Sequence, residues 1–489
     1  NAVVGGSISD AKSTAKGMDG PLVVPNYFAV TNLDMSDKAT HPIHTGWHQQ
    51  DQSIFTSIEA GHKNMLYLTL TGRNDWSSAL AKTKNTSFFY YSAGLSFLLS
   101  EALNLPNQIN YLQLKGSYSS VGSPIPRNLS IVTYPYNKDN RHFEASSFLP
   151  ISDLKPERTN SWEIGLTAKL FDNLLNFDFT YYHSNTINQT LALNISAMSL
   201  YNKMYVQAGD VRNNGIELGL GTNLKLGNVT WNSNFTAGFN ANKILKLIDK
   251  DATVDVDGEK ILVGDKFEGE REAIGASIYR LTEGGTMGDL YVKKQFKKDA
   301  NGDLVLDPTE KRPILENTEQ YVGSVLPKWN LGFRNSFTWK DLSFGFMLSA
   351  RLGGVVMSPT EAILDGYGVT KKTAKARDRG YVESNNVIFA PKDYYETVGS
   401  REGLLADYVY KADNIRLQEI SIGYTIPKKV FHDKLKLNVS FVASNLWLIY
   451  KDAPFDPEMT GSTGTFFQGI DFFMQPNTRN LGFSIKAEF

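Results

Sequence analysis

The sequence predicts an all-β protein whose strands build a transmembrane antiparallel β-barrel. Two observations carry that expectation. One is period-two alternation in long strands; the other is a regular alternation of short and long connections between them. The alternation is clearest at the end of the chain. Leu435, Leu437, Val439, Phe441 and Ala443 alternate with Lys436, Asn438, Ser440, Val442 and Ser444. Leu481, Phe483, Ile485, Ala487 and Phe489 alternate with Gly482, Ser484, Lys486 and Glu488. Sustained period two marks a strand with one apolar face, and such strands suit a wall with lipid on one side and a polar lumen on the other.

Composition agrees. The 489 residues hold 50 basic and 51 acidic side chains, so no global field points to nucleic acid. Hydrophobic residues make up 41%, and no run reaches the ~18 apolar residues of a spanning helix. Aromatic residues reach 12%, with 23 Tyr and 28 Phe, a supply for interfacial girdles. Cysteine is absent, which excludes disulfides, thiolate metal sites and cysteine nucleophiles. The chain opens on Asn1-Ala2-Val3-Val4, a strand-like run without a signal peptide. A barrel must be exported, so the chain is expected to be the C-terminal part of a longer precursor.

In chain order, strands are expected at 1–8, 51–61, 64–73, 87–99, 109–121, 158–170, 174–190, 211–226, 228–242, 328–340, 342–353, 412–426, 434–449 and 478–489. Trp162, Ile164, Leu166, Ala168 and Leu170 share one face; Leu342, Phe344, Phe346, Leu348, Ala350 and Leu352 share another. In 412–426 the parity slips between Leu417 and Ile420, which calls for a β-bulge near Gln418–Glu419. Short connections fall at 62–63, 100–108, 171–173, 227, 341 and 427–433. Long ones fall at 9–50, 74–86, 122–157, 191–210, 243–327, 354–411 and 450–477. The two kinds alternate throughout, as periplasmic turns and extracellular loops do. By this count the C-terminus is periplasmic.

Four constellations invite a chemical reading. Asp299, Asn301, Asp303, Asp307 and Glu310 are spaced like a calcium loop, but Leu304 replaces the glycine of its sharp turn. Calcium in an extracellular loop and a polar turn are the two readings. His41, His44 and His48 could meet a transition metal, or stand in a solvated loop without acidic partners. Lys371, Lys372, Lys375, Arg377 and Arg379 form a basic cluster, read as a solvated loop or a contact for acidic groups. Asp456 and Glu458 resemble a carboxylate pair, yet their i,i+2 spacing in a loop does not build a glycosidase cleft. No hydrolase, metalloprotease or phosphate-loop motif occurs, and no enzyme is expected.

Several blocks together resemble the SusC-type TonB-dependent transporters. They are Tyr111-Leu-Gln-Leu-Lys-Gly-Ser-Tyr118 with Val121-Gly122, Leu154-Lys-Pro-Glu-Arg-Thr-Asn-Ser-Trp-Glu-Ile-Gly165, Asn213-Asn-Gly-Ile-Glu217, Ala443-Ser-Asn-Leu446, Asp456-Pro-Glu458, Gly469-Ile-Asp471 and the closing strand with its terminal Phe489. The resemblance implies a ~22-strand barrel with its first strands, plug and TonB-contacting segment upstream. It implies active import of oligosaccharides or peptides with no required cofactor. It also implies a SusD-like lipoprotein lid, drive from TonB-ExbB-ExbD, and room for a dimer of transporter–lipoprotein pairs. Trp447, Tyr450, Phe466, Phe467, Asp471, Phe472 and Arg479 flank the last loop and are the candidate substrate contacts. Phe489 is a candidate barrel-insertion signal. The alternative is an outer-membrane adhesin or structural barrel that binds host molecules without transport.

Overall fold

The computed structural model describes residues 1–488 apart from 128, 130, 132–133, 135, 138–141, 145–147, 150–154, 195–202, 249–250, 252, 257–258, 263–269 and 460–466. Its frame is an antiparallel meander of fourteen strands, each paired with its neighbours in sequence. They are β1 (Ala2–Asp19), β2 (His41–His62), β3 (Leu66–Ser77), β4 (Ser87–Leu98), β5 (Ile109–Ser123), β6 (Glu157–Leu170), β7 (Leu175–Asn194), β8 (Lys203–Leu226), β9 (Val229–Lys246), β10 (Trp329–Trp339), β11 (Leu342–Leu352), β12 (Asn414–Ile426), β13 (Lys436–Lys451) and β14 (Asn480–Glu488). Each strand expected from alternation is present. Within the meander β1 pairs only with β2, and β14 only with β13.

The register explains why alternation was legible. One row runs Leu66, Phe97, Leu114, Leu166, Phe179, Leu218, Ala237, Leu331, Ala350, Ile415 and Tyr450, one residue per strand from β3 to β13. The adjacent row is polar or small: Tyr67, Ser96, Lys115, Gly165, Thr180, Glu217, Gly238, Asn330, Arg351, Asn414 and Lys451. Directly opposed residues share a face, so each row is a stripe along one side of the wall. The apolar side is exposed, with Ile164 at 53% and Phe483 at 79%. Water would not tolerate such a face on a free monomer. The bulge lies where parity required it: Gln418 is skipped between Glu419 and Leu417 in the ladders to both β11 and β13.

Because neighbours are antiparallel, successive connections alternate between the two ends of the sheet. The short turns are tight, with Gly227 at φ 61° and Lys340 at φ 53°. Two expected boundaries change. The connection expected at 9–50 shrinks to 20–40, because β1 and β2 continue as a two-stranded ribbon to Asp19 and His41. His41, His44 and His48 therefore stand on a strand. His44 and His48 are about 13 Å apart at ~3.3 Å per residue, and Nε2 of His48 lies 2.9 Å from Asp10 Oδ2. The trio is spread along a ribbon, not gathered at a site.

The three last long connections are not irregular loops. They fold together into an α/β layer, here called the dome. The segment before β10 contributes a four-stranded sheet of Glu270–Glu272, Ser277–Arg280, Asp289–Phe296 and Leu315–Ser324. The segment between β11 and β12 contributes helices α1 (Pro359–Gly366), α2 (Lys371–Arg379) and α3 (Pro391–Val398). Ser358 and Thr370 cap α1 and α2 by accepting from the amides of Glu361 and Thr373, and Gly380 ends α2 at φ 85°. Two buried clusters hold the dome. Tyr279, Leu290, Val292, Met357, Leu405, Tyr408 and Ile470 form one; Ala376, Phe389, Tyr394, Tyr395 and Val398 lead the other.

Candidate functional site

The polar side of the sheet and the dome at its long-loop end form the candidate site. On the wall a hollow of about 400 Å³ is lined by Lys115, Glu163, Asp178, Thr180 and Glu217 among others. Lys115 Nζ is 3.5 Å from Asp178 Oδ2, which also accepts from Thr167 Oγ1 at 2.6 Å. Glu163 accepts from Ser117 Oγ at 2.9 Å. Glycines thin the wall on this side. Gly215 lies beneath the Tyr182 ring, and a Cβ there would sit 2.2 Å from the phenol. The Tyr182 hydroxyl reaches on to Asn240 Oδ1 at 3.1 Å.

Where wall meets dome, a cleft of about 460 Å³ is lined by Arg416, Leu448, Asp456, Asp471, Met474 and Arg479 among others. Its centre is a buried ion pair. Arg416 Nη2 donates to Asp456 Oδ1 at 2.6 Å and lies 3.9 Å from Glu458 Oε2, with the guanidinium 4% exposed. The carboxylates at 456 and 458 therefore bind the last loop to β12. Neutralised this way they pair no general acid with a base.

The dome is knit to the last loop. The Met357 amide donates to Gly469 O, and the Asp471 amide to Met357 O, both at 2.8 Å. Asp471 is 5% exposed and accepts from Ser358 Oγ at 2.7 Å. The Tyr279 hydroxyl donates to Gln468 O at 2.5 Å, and burial pushes its pKa well above the usual phenol range. Asp365, fully buried, accepts from Thr370 Oγ1 at 2.5 Å and Tyr408 at 3.0 Å, with Lys372 Nζ at 3.2 Å. Burial first, then the Asp365 charge, raises the Tyr408 phenol pKa.

The expected contacts part company here. Arg479 and Asp471 reach the cleft, but Asp471 is committed to Ser358. Phe472 packs edge-on against Phe473 at 5.4 Å, and Phe467 sits at φ 66° with 39% exposure. Trp447 and Tyr450 move to the other side. They lie opposite Leu417 and Ile415, on the apolar face, at 59% and 48% exposure. They suit an interfacial girdle, not a lumen site. Phe466 and Phe489 lie outside the described residues, as does Leu154.

The calcium spacing resolves into two turns. Asp299 Oδ1 accepts from the Asn301 and Asp303 amides, while Asp307 Oδ1 accepts from those of Thr309 and Glu310. Glu310 pairs with Arg312 at 3.1 Å. Without the position-six glycine the segment makes successive Asx turns, and no cage forms. Among the described residues no cluster of three or more His, Cys, Asp or Glu is placed to hold a metal. The basic cluster is helix α2. Lys372 faces Asp365, Arg377 donates to Gly368 O at 2.6 Å, and Arg379 stacks on Tyr381 at 4.6 Å.

Comparison with known proteins agrees with this architecture. Two TonB-dependent receptors of Formosa agariphila, P3 and P26, are 24% and 27% identical over 89% and 90% of this chain. The chain spans under half the length of those relatives, 45% and 46%. Among solved structures, the RagAB peptide transporter superposes with a TM-score of 0.74 at 18% identity, over 99% of this chain and 52% of that one. The RagAB peptide importer in its open-open state gives 0.72 at 19% identity, with coverages of 99% and 52%. The model of the TonB dependent receptor-like β-barrel matches residues 51–446. That match takes in most of the sheet, and the chain belongs to the TonB-dependent receptor family of outer-membrane β-barrels.

Proposed function

We propose that this chain is the C-terminal barrel portion of a transporter that imports peptides or oligosaccharides across the bacterial outer membrane, driven by TonB-ExbB-ExbD and assisted by a SusD-like surface lipoprotein. The observation that carries the reading is the union of a continuous polar wall with a folded dome built from long connections at one end. A polar wall carries a hydrated solute, and a dome above it can restrict entry. The apolar face then meets lipid, the dome is extracellular, and both chain ends are periplasmic. The fourteen strands leave β1 and β14 one-sided. Lipid leaves no sheet edge unpaired, so further strands close the barrel. A plug and the TonB-contacting segment belong to the same missing portion, and Phe489 is read by the insertion machinery.

Likeness to RagAB favours peptides as the cargo. The cleft suits them, since Arg479 offers a cation beside Leu448 and Met474. No step of bond chemistry is assigned, and no calcium is required. The test is uptake by whole cells with the gene deleted and restored. Isotope-labelled oligopeptides and oligosaccharides are supplied separately, with and without TonB. Loss of peptide uptake in both the gene deletion and the TonB deletion is expected. Unchanged uptake of both cargo classes would return the adhesin reading.

A further inference from the structure

The connection between β1 and β2 carries a rigid apolar knob, and we propose that it is a docking element for the surface lipoprotein. The inference rests on the two-component reading above. The ribbon comes first. β3 accompanies β2 only as far as Ser77, opposite Asp51, whereas β1 and β2 stay paired from Asp10↔Gln50 to Asp19↔His41. At ~3.3 Å per residue the ribbon stands roughly 30 Å beyond the end of β3. It is braced at its base. The Arg127 guanidinium lies 3.8 Å over the Trp47 ring and donates to Gln49 Oε1 at 3.2 Å.

The tip is ordered from within by one amide. Asn32 is 7% exposed, donates to the carbonyls of Val24 and Tyr27 at 2.8 and 2.7 Å, and accepts from the Val24 amide at 3.0 Å. Leu22 bridges Leu33, and the Asp34 amide donates to Pro21 O at 2.9 Å. The Asp34 and Asp37 carboxylates accept from the amides of Ser36 and Ala39 in their own loop. The polar groups are thus turned inward, and apolar side chains face out. Val23, Val24, Tyr27, Phe28, Val30 and Met35 are all exposed, Phe28 at 86%.

That inversion of an ordinary surface loop needs an occupant. The knob is convex, so it cannot enclose a small cargo, which binds in concavities. It stands well above the apolar belt of the sheet, so the bilayer does not cover it. It is preorganised, so docking costs little ordering entropy. A folded extracellular protein with an apolar recess fits these constraints. The dome rises from β9 to β14, at the other end of the meander from β1 and β2. A lipoprotein seated on the dome and covering the mouth reaches the knob on the opposite arc of the rim.

The test uses the full-length transporter in native outer membranes. A photo-crosslinking benzoyl-phenylalanine replaces Phe28, and Lys16 on the ribbon serves as control position. A tag on the transporter reports the co-purified lipoprotein. Cross-linking to the lipoprotein from position 28, several-fold above position 16, is expected. The double variant Tyr27→Asp/Phe28→Asp should retain at least tenfold less lipoprotein after solubilisation, with the heat-modifiable barrel band unchanged. Cross-links to a second copy, to lipid or to nothing, while the double variant still holds the lipoprotein, would overturn the docking element alone. A wild-type complex that never carries a lipoprotein would overturn the two-component reading beneath it.

Discussion

The sheet and the dome obey opposite rules. The sheet exposes its hydrophobic residues: Ile164, Ile422 and Phe483 stand outward, and its order comes from ladders of backbone hydrogen bonds. The dome hides its own: Tyr279, Leu290 and Leu405 are fully buried, as in a small water-soluble domain. One chain therefore folds against two solvents. In lipid, apolar burial is not a driving force between strands, and satisfied backbone groups are. In water, the buried cluster drives the fold and side-chain chemistry locks it.

Substitutions can break this contrast, and the largest effect should come in the dome. Asp365→Ala removes the carboxylate shared by Thr370, Tyr408 and Lys372. Losing one partner of a buried pair costs about 3–5 kcal/mol. Limited proteolysis should then cut within 359–411 while the barrel band keeps its heat-modifiable mobility. Simultaneous loss of both would mean that dome and sheet form one cooperative unit. Next comes the sheet. Leu70 belongs to the exposed apolar face, and Thr69 lines the polar hollow. Leu70→Arg should lower refolding yield in liposomes, at ~2–4 kcal/mol for a lipid-facing arginine, and Thr69→Arg should lower it far less. Equal losses would invalidate the face assignment.

A smaller effect sharpens the junction between two dome segments. Gly275 has φ 63°, and a Cβ on it would lie 1.9 Å from the Arg401 carbonyl, which accepts from the Ala276 amide at 2.9 Å. Gly275→Ala should cost ~1–3 kcal/mol and raise hydrogen exchange at 276–280 with the sheet unaffected. The smallest effect is a pH response. Amides of Glu310 and then Thr309 hold the Asp307 pKa below the usual carboxylate value. The native value is depressed, so its stabilisation is present above the ordinary carboxyl range and fades as pH falls through the native value. Exchange at Thr309 and Glu310, corrected for intrinsic rates, should accelerate below about pH 4 in the wild type. In Asp307→Asn that step should vanish; a persisting step would assign the response to another group.

Legibility in the sequence followed the same division. Strand positions were readable because lipid on one side and a polar lumen on the other enforce parity residue by residue. The Gln418 bulge announced itself as a parity slip between Leu417 and Ile420. Trp447 shares the odd parity of Val439 and Phe441, and parity was a better guide to its side than nearness to a loop. The ribbon of β1 and β2 was missed because both its faces meet water and no period survives in Asp10-Ala-Lys-Ser-Thr-Ala-Lys16. The dome was missed for a different reason. Its core takes single residues such as Tyr279, Tyr408 and Ile470 from three separate segments. No local pattern marks such a core in advance.

The hydrogen bond from Tyr279 to Gln468 joins residues 189 positions apart. Every hairpin of the meander, by contrast, links sequence neighbours. Closing a loop that long costs entropy in a free chain. Once β9 through β14 stand side by side, the three dome segments emerge from one rim at high effective concentration. Timing in assembly is thereby written into the topology. The dome can set only after the last strands have taken their places, so its protection from protease would report, from outside the cell, a wall completed beneath it.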